Sequence, residues 1–170
     1  EPMSPQDAIE ILARQAGIQF DPEVFQAFKS VVQRRKSLVF IDLDHFKKVN
    51  DTHGHLMGSK LLAEIGQIIK THCRLIDFAF RYGGDEFVVL LPQTSKESAI
   101  NVARRLHRLI RETTWLQAEG INTRITPSVG VASYPTDSST KVELLHLADE
   151  AMYLVKNTTR DGVAASKLGV

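Results

Sequence analysis

Cysteine is almost missing from this sequence of 170 residues: Cys73 is the only one, so no internal disulfide can form, and a reducing compartment suits the chain. A charge excess is missing too, since 21 Lys and Arg face 20 Asp and Glu, for a net charge of +1. That balance argues against a general nucleic-acid or membrane surface, because either would want a basic excess. A small anionic ligand needs only a few local cations and is not excluded. No apolar run approaches the ~18 residues of a membrane span, so no membrane contact is expected. No positively charged leader with an apolar core opens the chain, and no signal peptide is expected. There is no internal repeat and no low-complexity tract. The chain begins abruptly at Glu1-Pro2-Met3 and reads as a piece of a longer protein. A cytoplasmic location is expected, with the parent protein free to be membrane-anchored.

What is present is enough apolar material for a core. Hydrophobic residues make up 43% and charged residues 24%, as in ordinary soluble domains. The length suits one domain with a short appendage. Ser4-Pro5-Gln6-Asp7 and Asp21-Pro22-Glu23 both look like helix starts. Residues 1–36 are therefore read as a helical appendage or the remnant of an upstream domain, 37–164 as the main domain and 165–170 as a tail. Leu38 to Ile41 is a short apolar run, read as a buried strand that ends in Asp42-Leu43-Asp44. His45 to Ser59 is polar and rich in turn formers. Leu61, Leu62, Ile65, Ile68 and Ile69 recur at helical spacing, which predicts a helix over roughly 58–73. Asp77 to Arg81 and Phe87 to Leu91 read as two strands joined at Gly83-Gly84, a good hairpin signal because a tight turn needs positive φ. A helix around Ala99 to Ile110, a strand over Arg124 to Ser133 and a last helix around Leu144 to Val155 follow. The order from residue 37 is strand, helix, strand, strand, helix, strand, helix. It predicts an α+β fold of the split β-α-β, ferredoxin-like kind, with an antiparallel-rich central sheet flanked by helices.

Two acidic corners carry the chemistry. Asp42 ends the first strand, and Asp85 and Glu86 sit at the hairpin turn. In the split pattern these acids converge at one edge of the sheet. Carboxylates brought together repel unless a cation lies between them. Mg²⁺ suits such a place, since it takes oxygen ligands and binds through one or two carboxylates plus substrate phosphates. Gly83 and Gly84 would let backbone N–H groups approach a phosphate. Taken alone, a Gly-Gly turn with acids is more often a solvated hairpin.

The combination changes that reading. Arg81-Tyr82-Gly83-Gly84-Asp85-Glu86-Phe87 resembles the signature of the GGDEF family, the diguanylate cyclases. Phe40 to His55 is similar to the family's first strand and the loop after it, and Ser128-Val129-Gly130-Val131-Ala132 to a later strand. Ala148-Asp149-Glu150-Ala151-Met152-Tyr153 with Lys156 is similar to its last helix. The likeness runs from about Ser37 to Val163, in order and spacing. It implies a fold like the catalytic domain of adenylyl cyclases. It also implies condensation of two GTP into cyclic di-GMP with release of pyrophosphate, by a transient homodimer. By the same resemblance Asp42, the Leu43 carbonyl and Asp85 would hold Mg²⁺, two ions per site with Mn²⁺ as an alternative. Glu86 would be the further acid. The acceptor of the 3′-OH proton is left open by the sequence, with Asp85 favoured. The loop at Phe46 and Lys47 would cover the phosphates. Lys156 and Arg160, four apart on the last helix and hence on one face, would also meet them. Asn50 would read the guanine edge, and His55 is the matching His of that segment. His53 and His55 lack a third partner at zinc-like spacing.

Departures are visible as well. Where the family has Gly-Asp, this chain has Gly58-Ser59. A hydroxyl accepts more weakly than a carboxylate, so GTP is expected to bind less tightly and base selectivity to relax; Ser59 also reads as a helix N-cap. The family's Gly-Arg-Asn after the Lys is Thr159-Arg160-Asp161 here. The usual leader before the first strand is absent. Gly17 to Phe25 instead looks, weakly, like the end of an HD-type domain, which makes an upstream HD-type or sensory domain an expected partner. Finally, Arg74-Leu75-Ile76-Asp77 matches the family's inhibitory site for cyclic di-GMP in type and offset; its bland reading is a local ion pair. The alternative to a working cyclase is a weak or inactive module that binds GTP or cyclic di-GMP as a receptor. A bare dimerisation domain would leave Asp42, Asp85, Lys156 and Arg160 without a reason.

Overall fold

The computed structural model of the chain describes residues 35–138 and 140–166. The two helix starts read near residues 4 and 21 lie outside the described residues.

Strand β1 (Lys36–Leu43) is followed by α1 (Phe46–His53), α2 (His55–Thr71), β2 (Phe78–Gly83), β3 (Glu86–Pro92), α3 (Lys96–Glu112), β4 (Pro127–Tyr134), α4 (Lys141–Thr158) and β5 (Gly162–Ala165). The five strands form one sheet in the order β2-β3-β1-β4-β5. All neighbours are antiparallel except β4 and β5, which run parallel. This is the expected split β-α-β sheet with a short fifth strand added at one edge.

The continuous apolar run of β1 follows from its central place, because both of its faces are covered. Val39, Ile41 and Leu43 join α1, α2 and α3 in the larger core, with Phe46, Leu61, Ile65, Ala103, Leu106 and Ile110. Leu38 and Phe40 point the other way and pack with Val88, Ala132 and the α4 residues Leu144, Ala148 and Met152. Each fully buried Ile, Leu or Phe contributes about 1.5–3 kcal/mol of transfer free energy. Register is therefore strongly fixed, since a slip of one residue would exchange the two faces of β1.

One glycine sets how close α4 lies. A Cβ on Gly130 would stand 2.0 Å from the Ala148 carbonyl oxygen and 2.4 Å from the Met152 amide, so the helix backbone rests directly on β4 there. Lys156 is four residues beyond Met152 and shares its face of α4. The close approach at Gly130 thus brings Lys156 over the end of β1.

The segment from His45 to Ser59 differs from the sequence reading. It is not a turn-rich loop but α1 and the first residues of α2, separated by Gly54 at φ 84°. Its polar surface hid the periodicity: only Phe46 and Val49 of α1 are buried. Phe46 and Lys47 consequently sit in the first turn of a helix.

Candidate active site

Asp42 lies at the β1 end, 1% exposed. In register it stands directly opposite Glu86 on β3 and Ser128 on β4. Directly opposed side chains on neighbouring strands have Cβ atoms about 4.5–5.5 Å apart, and like charges placed so are destabilising. Lys156 reaches in from α4 and donates to Asp42 Oδ2 at 2.7 Å. Asp42 Oδ1 is buried and has no hydrogen-bond partner.

The electrostatics follow from this crowding. Burial, above all, pushes the Asp42 carboxyl up from 3.8 to about 6; the Lys156 hydrogen bond and charge pull it down, and the charges of Asp85 and Glu86 push it further up. Glu86 is also raised, first by burial and then by Asp85 and Asp149, against Lys156. Burial works against the Lys156 ammonium, but its bond to Asp42 and the charges of Asp42, Asp85 and Glu86 hold it above its ordinary value. The corner therefore carries more carboxylate than one lysine neutralises.

Asp85 belongs to the hairpin turn. Gly84 adopts φ 47°, and Arg81 Nε closes the turn by donating to the Gly84 carbonyl at 2.8 Å. The Leu43 amide donates to the Asp85 carbonyl at 3.3 Å. Amide and carbonyl of a strand residue point to the same side, so the Leu43 carbonyl faces the hairpin. A hard divalent cation fits this donor set: a buried, unpartnered carboxylate oxygen, two further acids and a backbone carbonyl. Among the described residues no three His, Cys, Asp or Glu side chains form a ready metal cluster.

Beyond β1 the chain supplies further parts. His45 is the N-cap of α1, with φ 58° and no side-chain cap bond, so the first-turn N–H groups around Phe46 and Lys47 present a positive helix end. Asn50 lies on the other side of α1, against α2. A Cβ on Gly58 would clash with Asn50 Oδ1 at 1.9 Å, so this carboxamide rests on the Gly58 backbone, next to Ser59. Ser59 is exposed and lies inside α2, whose N-cap is Gly54; the reading of Ser59 as a cap is wrong. It lines a cavity of about 320 Å³ with Leu62, Ala63, Gly66, Phe80 and Arg81. His55 opens α2 and is exposed, as is His53, and neither joins a metal cluster. Arg160 is also corrected. α4 ends at Thr158 and Arg160 has φ 50°, so helical spacing does not put it on one face with Lys156.

Residues 17–162 match the profile of the family described as diguanylate cyclase, GGDEF domain. The chain belongs to the GGDEF family. Diguanylate cyclase A of Treponema denticola is 40% identical over 131 residues, which are 77% of this chain and 35% of that protein. The solved GGDEF domain of YfiN from Pseudomonas aeruginosa superposes with a TM-score of 0.76 at 32% identity, covering 85% of this chain and 91% of that one. The GGDEF domain of DgcB from Caulobacter crescentus, solved in complex with c-di-GMP, gives a TM-score of 0.70 at 29% identity over 78% of each chain. The chain spans about a third or less of the length of the curated relatives it matches.

Arg74 and Asp77, expected from the sequence as an inhibitory site, form an ion pair in the structure. Arg74 Nη2 lies 2.9 Å from Asp77 Oδ1, and the Arg74 amide donates to Asp77 Oδ2 at 2.8 Å. Arg74 Nη2 also donates to Thr94 Oγ1 at 2.7 Å. The Asp77 side chain is 3% exposed and that of Arg74 52%, so the guanidinium keeps an open side. One participant escaped the sequence reading. Asp44, two residues after Asp42, is 2% exposed. It accepts hydrogen bonds from Thr126 and Ser128 hydroxyls at 2.7 Å each and from the Asp161 amide at 3.0 Å. Its signal was available: a second acid in the turn just after the same strand end.

Proposed function

We propose that this GGDEF domain is the catalytic part of a diguanylate cyclase, condensing two GTP into cyclic di-GMP and pyrophosphate. The observation that carries the reading is Asp42: a buried carboxylate with one free oxygen, opposed by Glu86 and only part-neutralised by Lys156. A folded domain retains such a site where a cation completes it. Asp42, Asp85 and the Leu43 carbonyl would hold Mg²⁺ or Mn²⁺, two ions in the full reading, supplying charge neutralisation at the phosphates and an activated 3′-hydroxyl.

The rest falls to the chain's own residues. The first turn of α1 at Phe46 and Lys47, with the Gly83-Gly84 turn, offers backbone N–H groups to phosphate oxygens. Lys156 and Arg160 neutralise phosphate charge. Asn50, His55 and Ser59 border the guanine, with Ser59 a weak acceptor. Asp85 takes the 3′-OH proton, with Glu86 beside it, as the 3′-oxygen bonds to the α-phosphorus of the facing GTP and the bond to pyrophosphate breaks. One domain presents one such half-site, so two chains meet as a transient two-fold homodimer. Product bound at Arg74 and Asp77 would restrain that meeting, the planar guanidinium reading phosphate and guanine. Among the described residues no helix is long and apolar enough to cross a membrane; the domain is proposed to work in the cytoplasm, under a sensory or HD-type domain of the parent chain.

The test is cyclic di-GMP formation from GTP and Mg²⁺ at high protein concentration, with Asp85→Ala beside the unaltered chain. Product that disappears in the variant supports the cyclase; undiminished turnover in the variant refutes the site. Ser59 favours one second reading, a receptor that binds GTP or cyclic di-GMP without turnover. Nucleotide binding with no product from the unaltered chain would select it.

A further inference from the structure

The strap between α4 and β5 is held in an unfavourable shape. Arg160 and Asp161 have φ of 50° and 45°, the left-handed region that side chains disfavour. Two grips hold them there. On one side the Asp161 amide donates to buried Asp44, itself fixed by Thr126 and Ser128. On the other, the Asp161 carboxylate lies against α3. Oδ2 is 3.2 Å from Arg111 Nε, and Oδ1 is 2.9 Å from His107 Nε2, a close contact not aligned as a hydrogen bond. Between the grips Arg160 is exposed, and its guanidinium makes no hydrogen bond or ion pair among the described residues.

An Asp next to an Arg in a free loop is a ready partner for it. Here Asp161 is occupied by α3, which leaves the Arg160 charge available. We propose that Asp161, held by Asp44, His107 and Arg111, is a positioning residue that aims Arg160 at the nucleotide's phosphates and keeps it unpaired. This rests on the proposed role of Arg160 at the phosphates.

The sign of the effect separates this from a bland electrostatic role. If Asp161 were only a negative charge near the site, removing it would tighten binding of an anionic nucleotide. As a positioning residue, its removal weakens binding, and only while Arg160 is present. The experiment measures by calorimetry, with Mg²⁺, the affinity for a GTP analogue carrying a methylene bridge between the α- and β-phosphates, which cannot release pyrophosphate. The unaltered chain, Arg160→Ala, Asp161→Ala and the double variant form a cycle. Asp161→Ala is expected to weaken binding about five-fold, and less than two-fold in the Arg160→Ala background. Both substitutions keep the backbone amide bond to Asp44; Asp161→Asn also keeps a neutral acceptor for Arg111, and is expected to recover most of the affinity. Where Asp161→Ala unfolds, Arg111→Ala on the outer side of α3 takes its place in the cycle, with a smaller loss that again needs Arg160. Tighter binding, or the same loss with and without Arg160, overturns the positioning role alone. No binding by the unaltered chain, or none lost in Arg160→Ala, overturns the reading beneath it as well.

Discussion

Replacing Asp42 by Asn is expected to stabilise the metal-free domain while abolishing cyclase activity. The carboxyl is buried, one oxygen has no partner, and Glu86 faces it across the strands. Its pKa stands at about 6 against an ordinary 3.8, mainly through burial, with the Lys156 bond offsetting part of the rise. Below 3.8 the group is neutral in both folded and unfolded chains. As pH rises, the unfolded chain ionises first, and the folded one only through about 6. The stability associated with a neutral Asp42 is therefore lost as pH rises through about 6. At about 1.36 kcal/mol for each tenfold change in proton affinity, the gap corresponds to about 3 kcal/mol at neutral pH. That figure already contains the Lys156 bond and charge, so the gain with Asn is expected at about 2–3 kcal/mol, roughly 4–12 °C in unfolding temperature. The assay is thermal unfolding with chelator at about pH 4.5, 6 and 7.5, read as the difference between variant and unaltered chain, in which other titrations cancel. The difference should grow with pH and level off above about pH 7. Adding Mg²⁺ should raise the unfolding temperature of the unaltered chain and leave the variant unmoved. A variant less stable at pH 7.5, or a difference flat with pH, would refute the reasoning.

Ser59→Asp puts a carboxylate next to Asn50 and Gly58 on α2; tighter GTP binding by about ten-fold or more is expected in titration calorimetry, the value of one charge-assisted hydrogen bond. The same variant should discriminate more sharply between GTP and ATP, and unchanged selectivity would place Ser59 away from the base. Arg74→Ala removes the guanidinium from Asp77 and should weaken cyclic di-GMP binding at least ten-fold; GTP binding by that variant should be unaltered. Mg²⁺ affinity, followed by the same stabilisation at several pH values, should fall as pH drops below about 6, because the proton and the cation compete for Asp42.

The sequence was read correctly wherever a local pattern had one cause. The apolar run of β1 can only be a strand covered on both faces, and the glycines between two apolar runs can only turn. From those two elements came the meeting of Asp42 with Asp85 and Glu86. It failed where burial was slight: α1 buries two residues of eight, so its periodicity was too thin to separate from a polar loop. It failed again at Arg160, because spacing of four implies a shared face only while the helix lasts, and α4 ends two residues earlier.

Contacts between distant residues were out of reach for a different reason. Lys156 meets Asp42 across 114 positions, and Asp161 meets Asp44 across 117. No spacing rule links such residues; Gly130 does, by letting α4 settle on β4. That packing also leaves the Asp42–Lys156 pair open on one side. Lys156 is 38% exposed and bound to one oxygen of Asp42, while the other oxygen stays free. The lysine therefore holds the carboxylate without filling it. On the proposed reading, the free oxygen of Asp42 is the one left for a cation, and the ammonium, still partly in water, is the group that turns to a phosphate. Were Lys156 fully buried in a two-pronged pair with Asp42, the same residues would make a structural ion pair, closed to metal and nucleotide alike.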